Sequence, residues 1–313
     1  MTISSGTDTV LSDILRNLGR LQPQTLNGNP NVKLCELRDF PSLKVNKNEL
    51  LTDNQQFSQY NGPLTGIEVE VENLDDTEFK LTHSWSVASD GSLRNAGREF
   101  ISSPSTPHQI EAAINHLYAE LPAKAHFSPR TSVHVHLNCR ELTLKQIYNI
   151  VILYQCFEDL LYDFAGSERK KSIFCVPIGN TQYYNGFKGL MHSGDLYKFW
   201  SKYTGLNVKP LNEYGTIEFR HLRGTKDRNV VFTWLHLLYR LYRYATTLES
   251  EELETRIKAI SQNGNYSNFG NMVFGEYFTL LQSLSFEKKM QEDFAISKLF
   301  INNSTKSIMD GRI

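Results

Sequence analysis

Three stretches of the chain alternate apolar and polar residues without a break, and each predicts a half-buried β-strand. In Gly66–Glu72, Ile67, Val69 and Val71 fall on one parity and Glu68, Glu70 and Glu72 on the other. In Thr131–Asn138, Val133, Val135 and Leu137 alternate with His134 and His136. In Gly215–Leu222, Ile217 and Phe219 share one face, while Thr216, Glu218 and Arg220 share the other. Helical periodicity takes over elsewhere. Ser105 and Thr106 precede Pro107 and open a helix through Leu121, with Ile110, Ala113, Ile114 and Leu117 on one side. Leu142–Ala165 is the longest helical pattern, and Asn229–Leu248 is a second long one.

Weaker signals fill the remainder. Thr9–Leu18 predicts a modest helix, and residues 21–63 are loop-rich with short strands around Val32–Leu37. Asn73–Asp76 and Asp90–Leu93 are turns. Phe79–Val87 and Arg98–Ser102 are further strands, the second closed by Pro104. Asp195–Tyr203 predicts a short amphipathic helix and Leu206–Val208 an extended piece. Helices are expected over Glu251–Gln262, Met272–Leu284 and Lys288–Phe300. The result is an α+β chain: a lead-in over 1–62, a strand-bearing unit over 63–248, and a helical extension over 249–313 packed on that unit.

Composition narrows the partners. The 313 residues carry 33 Lys plus Arg against 34 Asp plus Glu, so nothing in the overall charge points to nucleic acid. Cys35, Cys139, Cys156 and Cys175 are scattered, without metal-ribbon spacing. They read as the reduced thiols of a cytoplasmic protein, with Cys139 and Cys156 in the core. Met1–Ser5 lacks the start of a signal peptide. The apolar stretch Ile147–Phe164 is interrupted by Asn149, Gln155, Glu158, Asp159 and Asp163, so it reads as an amphipathic helix and no membrane partner is expected. The stripe Trp234, Leu238, Leu241 and Tyr242 is core at helical spacing. Nothing in the pattern gives an oligomeric state.

The polar faces carry the candidate chemistry. Side chains two apart on a strand lie roughly 6.5–7 Å from one another on one face. Carboxylates stacked in that way repel, and a cation over them relieves the repulsion. Sheets with one wet face do alternate apolar and polar residues. These three faces go further, placing Glu, His and Arg at nearly every polar position, with no Lys. Such a floor suits phosphoryl transfer from a nucleotide: Mg²⁺ or Mn²⁺ on the glutamates with an imidazole, and an arginine on the transferred phosphoryl group. His134 reads as hydrogen-bonded, and Glu72 as a solvated strand end.

The order GIEVEVE (66–72), DGSL (90–93), GREFISSP (97–104), HVH (134–136) and NxxPLxxxGTIEFRxxxGT (207–225), with Trp234 beyond, resembles the amidoligases. They are a branch of the glutamine synthetase and glutamate–cysteine ligase superfamily, and the resemblance runs from about Gly66 to Tyr244. It implies a curved antiparallel catalytic sheet of the glutamine synthetase type, with helices packed on its outer face. It also implies an ATP- and Mg²⁺-dependent (or Mn²⁺-dependent) carboxylate–amine ligase acting on small-molecule or peptide substrates. Position by position, Glu68 and Glu70 match metal-ligand glutamates, His136 the nucleotide-side histidine, and Glu218 the late metal ligand. Arg220 matches an arginine on the γ-phosphate. Glu99 and Asp90 match further acidic groups, for metal or for the incoming amine, and Asp90 is also a candidate catalytic residue. Arg169 resembles a phosphate-binding position. Lys202, Asn207 and Arg223 fall at family-like positions, and Lys202 and Arg223 suit phosphate. Two alternatives stay open: a kinase on the same sheet, and a non-catalytic binding descendant.

Overall fold

The computed structural model describes residues 31–37, 40, 43, 63–75, 78–82, 84–181, 200–282 and 286–309. Its centre is an open sheet of six strands: β1 Thr65–Val71, β2 Trp85–Ala88, β3 Arg98–Ser102, β4 Ser132–Asn138, β5 Leu206–Asn207 and β6 Thr216–Arg223. The order is β2-β3-β1-β4-β6-β5, and every neighbouring pair is antiparallel. The predicted apolar parity is the buried one: Ile67, Val69, Val71, Val133, Val135, Leu137, Ile217 and Phe219 are all out of solvent, and Phe100 of β3 joins them.

Helices cover that apolar face. Helix α1 (Pro107–Glu120) packs on β1 and starts at Thr106, whose backbone N–H donates to the Gln109 side chain at 3.0 Å. Helix α2 (Leu144–Gly166) packs on β6. It opens with a reciprocal cap: Thr143 N donates to Gln146 Oε1 at 3.0 Å, and Gln146 N to Thr143 Oγ1 at 3.2 Å. Helix α3 (Arg228–Thr247) lies along α2, with Trp234, Leu238 and Leu241 buried. Helices α4 (Ser250–Asn263), α5 (Tyr266–Phe274) and α6 (Phe286–Met309) follow, and α6 packs on α2. Phe157 of α2 meets Phe269, Phe274 and Phe294, so the C-terminal helices share one hydrophobic core with the sheet.

Several elements differ from expectation. Val32–Leu37 carries no strand: Lys33 bridges Thr143, and Leu34–Leu37 is a single helical turn. Leu34 N and Cys35 N donate to the carbonyls of Leu142 and Arg140, both at 2.9 Å, so this segment hooks onto the loop before α2. Only Trp85–Ala88 of the Phe79–Val87 stretch is a strand, because Phe79 and Leu81 pack on the core rather than pairing. The helix expected over Met272–Leu284 is divided. Gly275 takes φ +58°, which ends α5 and restarts the chain as a turn at Phe278–Leu281. The last helix runs further than Phe300, to Met309. Thr9–Leu18 and most of Asp195–Tyr203 lie outside the described residues, and 200–203 form no helix. The four cysteines are unpaired, and Cys139 and Cys156 are fully buried. Among the described residues no helix is long and apolar enough to cross a membrane.

One irregularity bears on the site. Val135 pairs with Phe219 but Val133 pairs with Leu222, so Arg220 and His221 together oppose His134. This is a β-bulge, one extra residue on β6. His221 and Leu222 are consecutive yet both are fully buried. Parity resets there, and Arg223 comes opposite Ser132.

Candidate metal and phosphate site

The face of the sheet opposite α1 and α2 brings most of the predicted residues together. Register does the assembling. Glu70 faces Glu99 across β1–β3, Glu68 faces His134 across β1–β4, and Glu218 faces His136 across β4–β6 and Asn207 across β5–β6. Directly paired residues share a face, so each strand adds groups to the same floor.

Two groupings result. In the first, Glu68, His136 and Glu218 each offer one ligand atom, all within 4.8 Å of one another. His136 Nε2 lies 3.4 Å from Glu68 Oε1 and 3.8 Å from Glu218 Oε1. Its Nδ1 is fixed by Thr216 Oγ1 at 3.0 Å. Nε2 itself is buried and has no hydrogen-bond partner among the described residues. Glu218 is held from behind: Asn207 Nδ2 donates to Oε2 at 2.7 Å, and Arg220 Nη1 pairs with Oε1. In the second grouping, Glu70, Asp90 and Glu99 come within the same 4.8 Å. Glu70 Oε2 accepts both the backbone N–H and the hydroxyl of Ser132, each at 2.7 Å. Asp90 belongs to the turn before β3, where its Oδ1 accepts Ser92 N at 2.7 Å.

His134 links the two groupings. Its Nδ1 lies 2.9 Å from Glu68 Oε2, and its Nε2 lies 2.8 Å from Ser132 Oγ. Serine has one hydroxyl proton, and Glu70 takes it. The hydrogen-bonded chain therefore runs from Glu68 through His134 and Ser132 to Glu70. His134 also falls within 4.8 Å of Glu68 and Glu99 as a third possible ligand set.

The electrostatics follow from crowding. Burial, then the charges of Glu68, Glu70 and Asp90, push the Glu99 carboxyl up to about 7, against the pull of His134. Burial also opposes the charge of Glu68, but the imidazoles of His134 and His136 hold that carboxyl well below its usual range. For His136 burial disfavours the cation, and Glu68 with Glu218 outweighs it, so its value is raised. Oxygen-rich sets with one imidazole, including a buried nitrogen that lacks a partner, fit Mg²⁺ or Mn²⁺.

The other predicted residues are placed differently. Glu72 is not a solvated strand end. It is 3% exposed, its backbone bridges His126, and its Oε1 accepts Arg94 N at 3.0 Å. The 90–97 loop folds over the end of β1 and buries it. Arg169 is buried, and its guanidinium donates to the carbonyls of Pro129, Arg220 and His221 at 3.3–3.4 Å. It thereby clamps the two bulge residues. Lys202 is exposed, with its ammonium 5.1 Å from the centre of the Tyr203 ring, and belongs to neither grouping. Arg223 is exposed beyond the bulge. Ser132 was missed, although it shares the parity of His134 and His136. That parity was the signal that could have found it.

The family model described as "Putative amidoligase enzyme" matches residues 45–242, well over half of the chain. The chain belongs to this enzyme family. The match begins some way ahead of the glutamate strand, within the segment read as a lead-in. Among curated proteins no relative matches the chain.

Proposed function

We propose that this protein is an ATP-dependent carboxylate–amine ligase that uses Mg²⁺ or Mn²⁺ and forms an amide or isopeptide bond through an acyl phosphate. In this reading the sheet is a catalytic sheet of the glutamine synthetase type. The reading is supported above all by the division of β1: Glu68 serves one potential metal grouping and Glu70 the other, on a floor that also carries Arg220.

Glu68, His136 and Glu218 would hold the nucleotide-side metal, and Glu70 and Glu99 a second, with Asp90 at its edge. Such ions neutralise phosphate oxygens and the charge that develops during transfer. The residues do the positioning. Arg220 Nε is buried and has no hydrogen-bond partner among the described residues, although Nη1 is engaged with Glu218. A phosphoryl group beside Glu218 supplies the missing partner, and Arg220 would pair with it. A substrate carboxylate oxygen attacks the γ-phosphorus and ADP leaves. The amine nitrogen then attacks the acyl carbon, phosphate leaves, and the amine gives up a proton, for which Asp90 is the acceptor. Arg169 acts in this scheme by holding the bulge that aims Arg220. The substrates are small-molecule or peptide carboxylates and amines.

The test is ADP release across panels of amino acids and amines, with Mg²⁺ and then Mn²⁺. Release that depends on both a carboxylate and an amine is expected. ADP formed with a stable phosphorylated product and no dependence on amine would assign the sheet to a kinase.

A further inference from the structure

At the bulge on β6 two consecutive side chains leave the strand on opposite faces. Arg220 stays on the floor with Glu218, and His221 enters the core behind it, fully buried. The His221 ring stacks on Tyr162 with centroids 4.5 Å apart, and it meets Trp234 at 4.9 Å and Tyr154 at 5.7 Å, both steeply inclined to it. Its Nδ1 lies 3.1 Å from the Gly205 carbonyl oxygen, and its Nε2 has no hydrogen-bond partner among the described residues.

The chemistry of that ring is narrow. A carbonyl oxygen only accepts, so Nδ1 carries the proton. Burial holds the imidazole neutral and pushes its value down to about 3; the Gly205 carbonyl pulls the other way, and the charge of Arg169 adds to the fall. Nε2 is then a bare acceptor, and an acceptor without a partner in the core costs free energy. Leucine or phenylalanine would fill the space without that cost, so packing does not account for the ring. What an imidazole adds here is one donor, aimed at Gly205.

Gly205 is where the amide side of the bulge is fastened. Its carbonyl also accepts the Arg220 backbone N–H at 2.8 Å, so both lone pairs are used, and its own N–H donates to the Val176 carbonyl at 3.0 Å. Only glycine fits, because a Cβ would collide with the Tyr162 hydroxyl, which donates to the Cys175 carbonyl. Arg169 holds the carbonyls of Arg220 and His221, and the His221 ring closes the opposite side. A bulge kinks and twists its strand, so these anchors set the direction in which Arg220 leaves it.

We infer that His221 is a positioning residue: through the Gly205 carbonyl its Nδ1–H holds the bulge so that the Arg220 guanidinium stays seated against Glu218. That the seated Arg220 then meets a phosphoryl group rests on the ligase reading, whereas the seating does not.

The experiment reads Arg220 directly in the full chain. Arg220 Nε is buried, so its hydrogen should exchange slowly with water, and its nuclear magnetic resonance signal is assigned by its loss in Arg220→Lys. His221→Phe keeps a ring in the stack and removes the donor; His221→Leu replaces it if the phenylalanine does not fold. His221→Asn keeps a donor near the Nδ1 position and gives up the ring. One hydrogen bond shifts a population by up to about tenfold, so exchange at Arg220 should quicken on the order of tenfold in the phenylalanine or leucine variant. It should stay near wild type in His221→Asn, although that variant melts lower. Phe157→Leu, in the aromatic cluster on the far side of α2, should lower the melting temperature without moving the signal. Wild-type exchange in the donor-less variant overturns the assignment. So does equal quickening in His221→Asn or in Phe157→Leu. Binding of inorganic tripolyphosphate with Mn²⁺ is measured beside it and should weaken in step with the exchange. Tripolyphosphate that binds none of these proteins, or all alike, while exchange follows His221 would count against the ligase reading and leave the seating in place.

Discussion

Glu99 offers a direct measure of whether the carboxylate floor is a metal site. It faces Glu70 across β1–β3 and is pushed up to about 7 by burial and by the charges of Glu68, Glu70 and Asp90. A metal ligand must be the carboxylate, so binding displaces whatever proton Glu99 carries. With a value of about 7 the protonated fraction is about 0.9 at pH 6, about 0.5 at pH 7 and about 0.1 at pH 8. The sign follows: Mn²⁺ affinity rises with pH across this range, steeply near 6 and weakly near 8. The metal-free chain shows the opposite linkage. The fold prefers neutral Glu99, so this stabilising contribution is fully present below the unfolded value of 4.5 and is lost as pH rises through about 7. The assay is calorimetric titration with Mn²⁺ at pH 6, 7 and 8, each in two buffers of different ionisation enthalpy, on the wild type and on Glu99→Gln. The difference in protons released between the two proteins should fall from about 0.9 to about 0.1 as pH rises. Equal release from the two proteins at pH 6, or a wild-type release that does not decline toward pH 8, would refute the reasoning.

Three further outcomes are expected. Glu72→Ala leaves the Arg94 N–H without its acceptor and should cost about 2 kcal/mol in urea unfolding, while Glu72→Gln keeps an acceptor and should cost less. A harmless Glu72→Ala would mean that the loop over β1 does not hold the residue as described. Ser132→Ala removes one of two donors from Glu70 and should weaken Mn²⁺ binding about tenfold with the fold intact, as judged by its melting curve. Arg169→Gln withdraws the buried clamp on Arg220 and His221 and should cost about 2–4 kcal/mol. Arg169→Lys should not restore it, because an ammonium cannot fork across three carbonyls; full recovery with Lys would remove the clamp from the account.

How much of this was legible follows from what periodicity can carry. A two-residue period says which residues of one strand share a face, so Glu68 with Glu70, His134 with His136, and Glu218 with Arg220 were grouped from the sequence, while the joining of these faces into one floor comes from the strand order. It does not say which strands are neighbours. Glu99 reaches Glu70 only through the β1–β3 register, and Asp90 only because its turn folds beside that pair, so both rested on family resemblance. Period two also fails at a bulge, which has no local signature here, and it places Arg223 on the wrong face. The burial of Glu72 comes from a loop some twenty residues away, which alternation cannot see. Helical periodicity did better for the long helices than for the break at Gly275, where a single positive φ divides an otherwise continuous apolar pattern.

The position of β1 inside the sheet is what makes two groupings possible. Neighbouring same-face residues on a strand are roughly 6.5–7 Å apart, too far for Glu68 and Glu70 to close on one ion unaided but suitable for two. An edge strand could find partners on one side only. Here β3 stands on one flank and β4 on the other. Glu70 takes its partners from β3 and the turn before it, while Glu68 takes His136 from β4 and Glu218 from β6. The imbalance of charge is a consequence of that arrangement. Five carboxylates, on Glu68, Glu70, Asp90, Glu99 and Glu218, face one guanidinium and two imidazoles. The fold absorbs the excess by raising Glu99 and His136, that is, by holding protons where cations would otherwise stand. Divalent ions would release those protons and remove the repulsion together. Cation binding and stability should therefore rise in step, the gain growing as the logarithm of free metal above its dissociation constant.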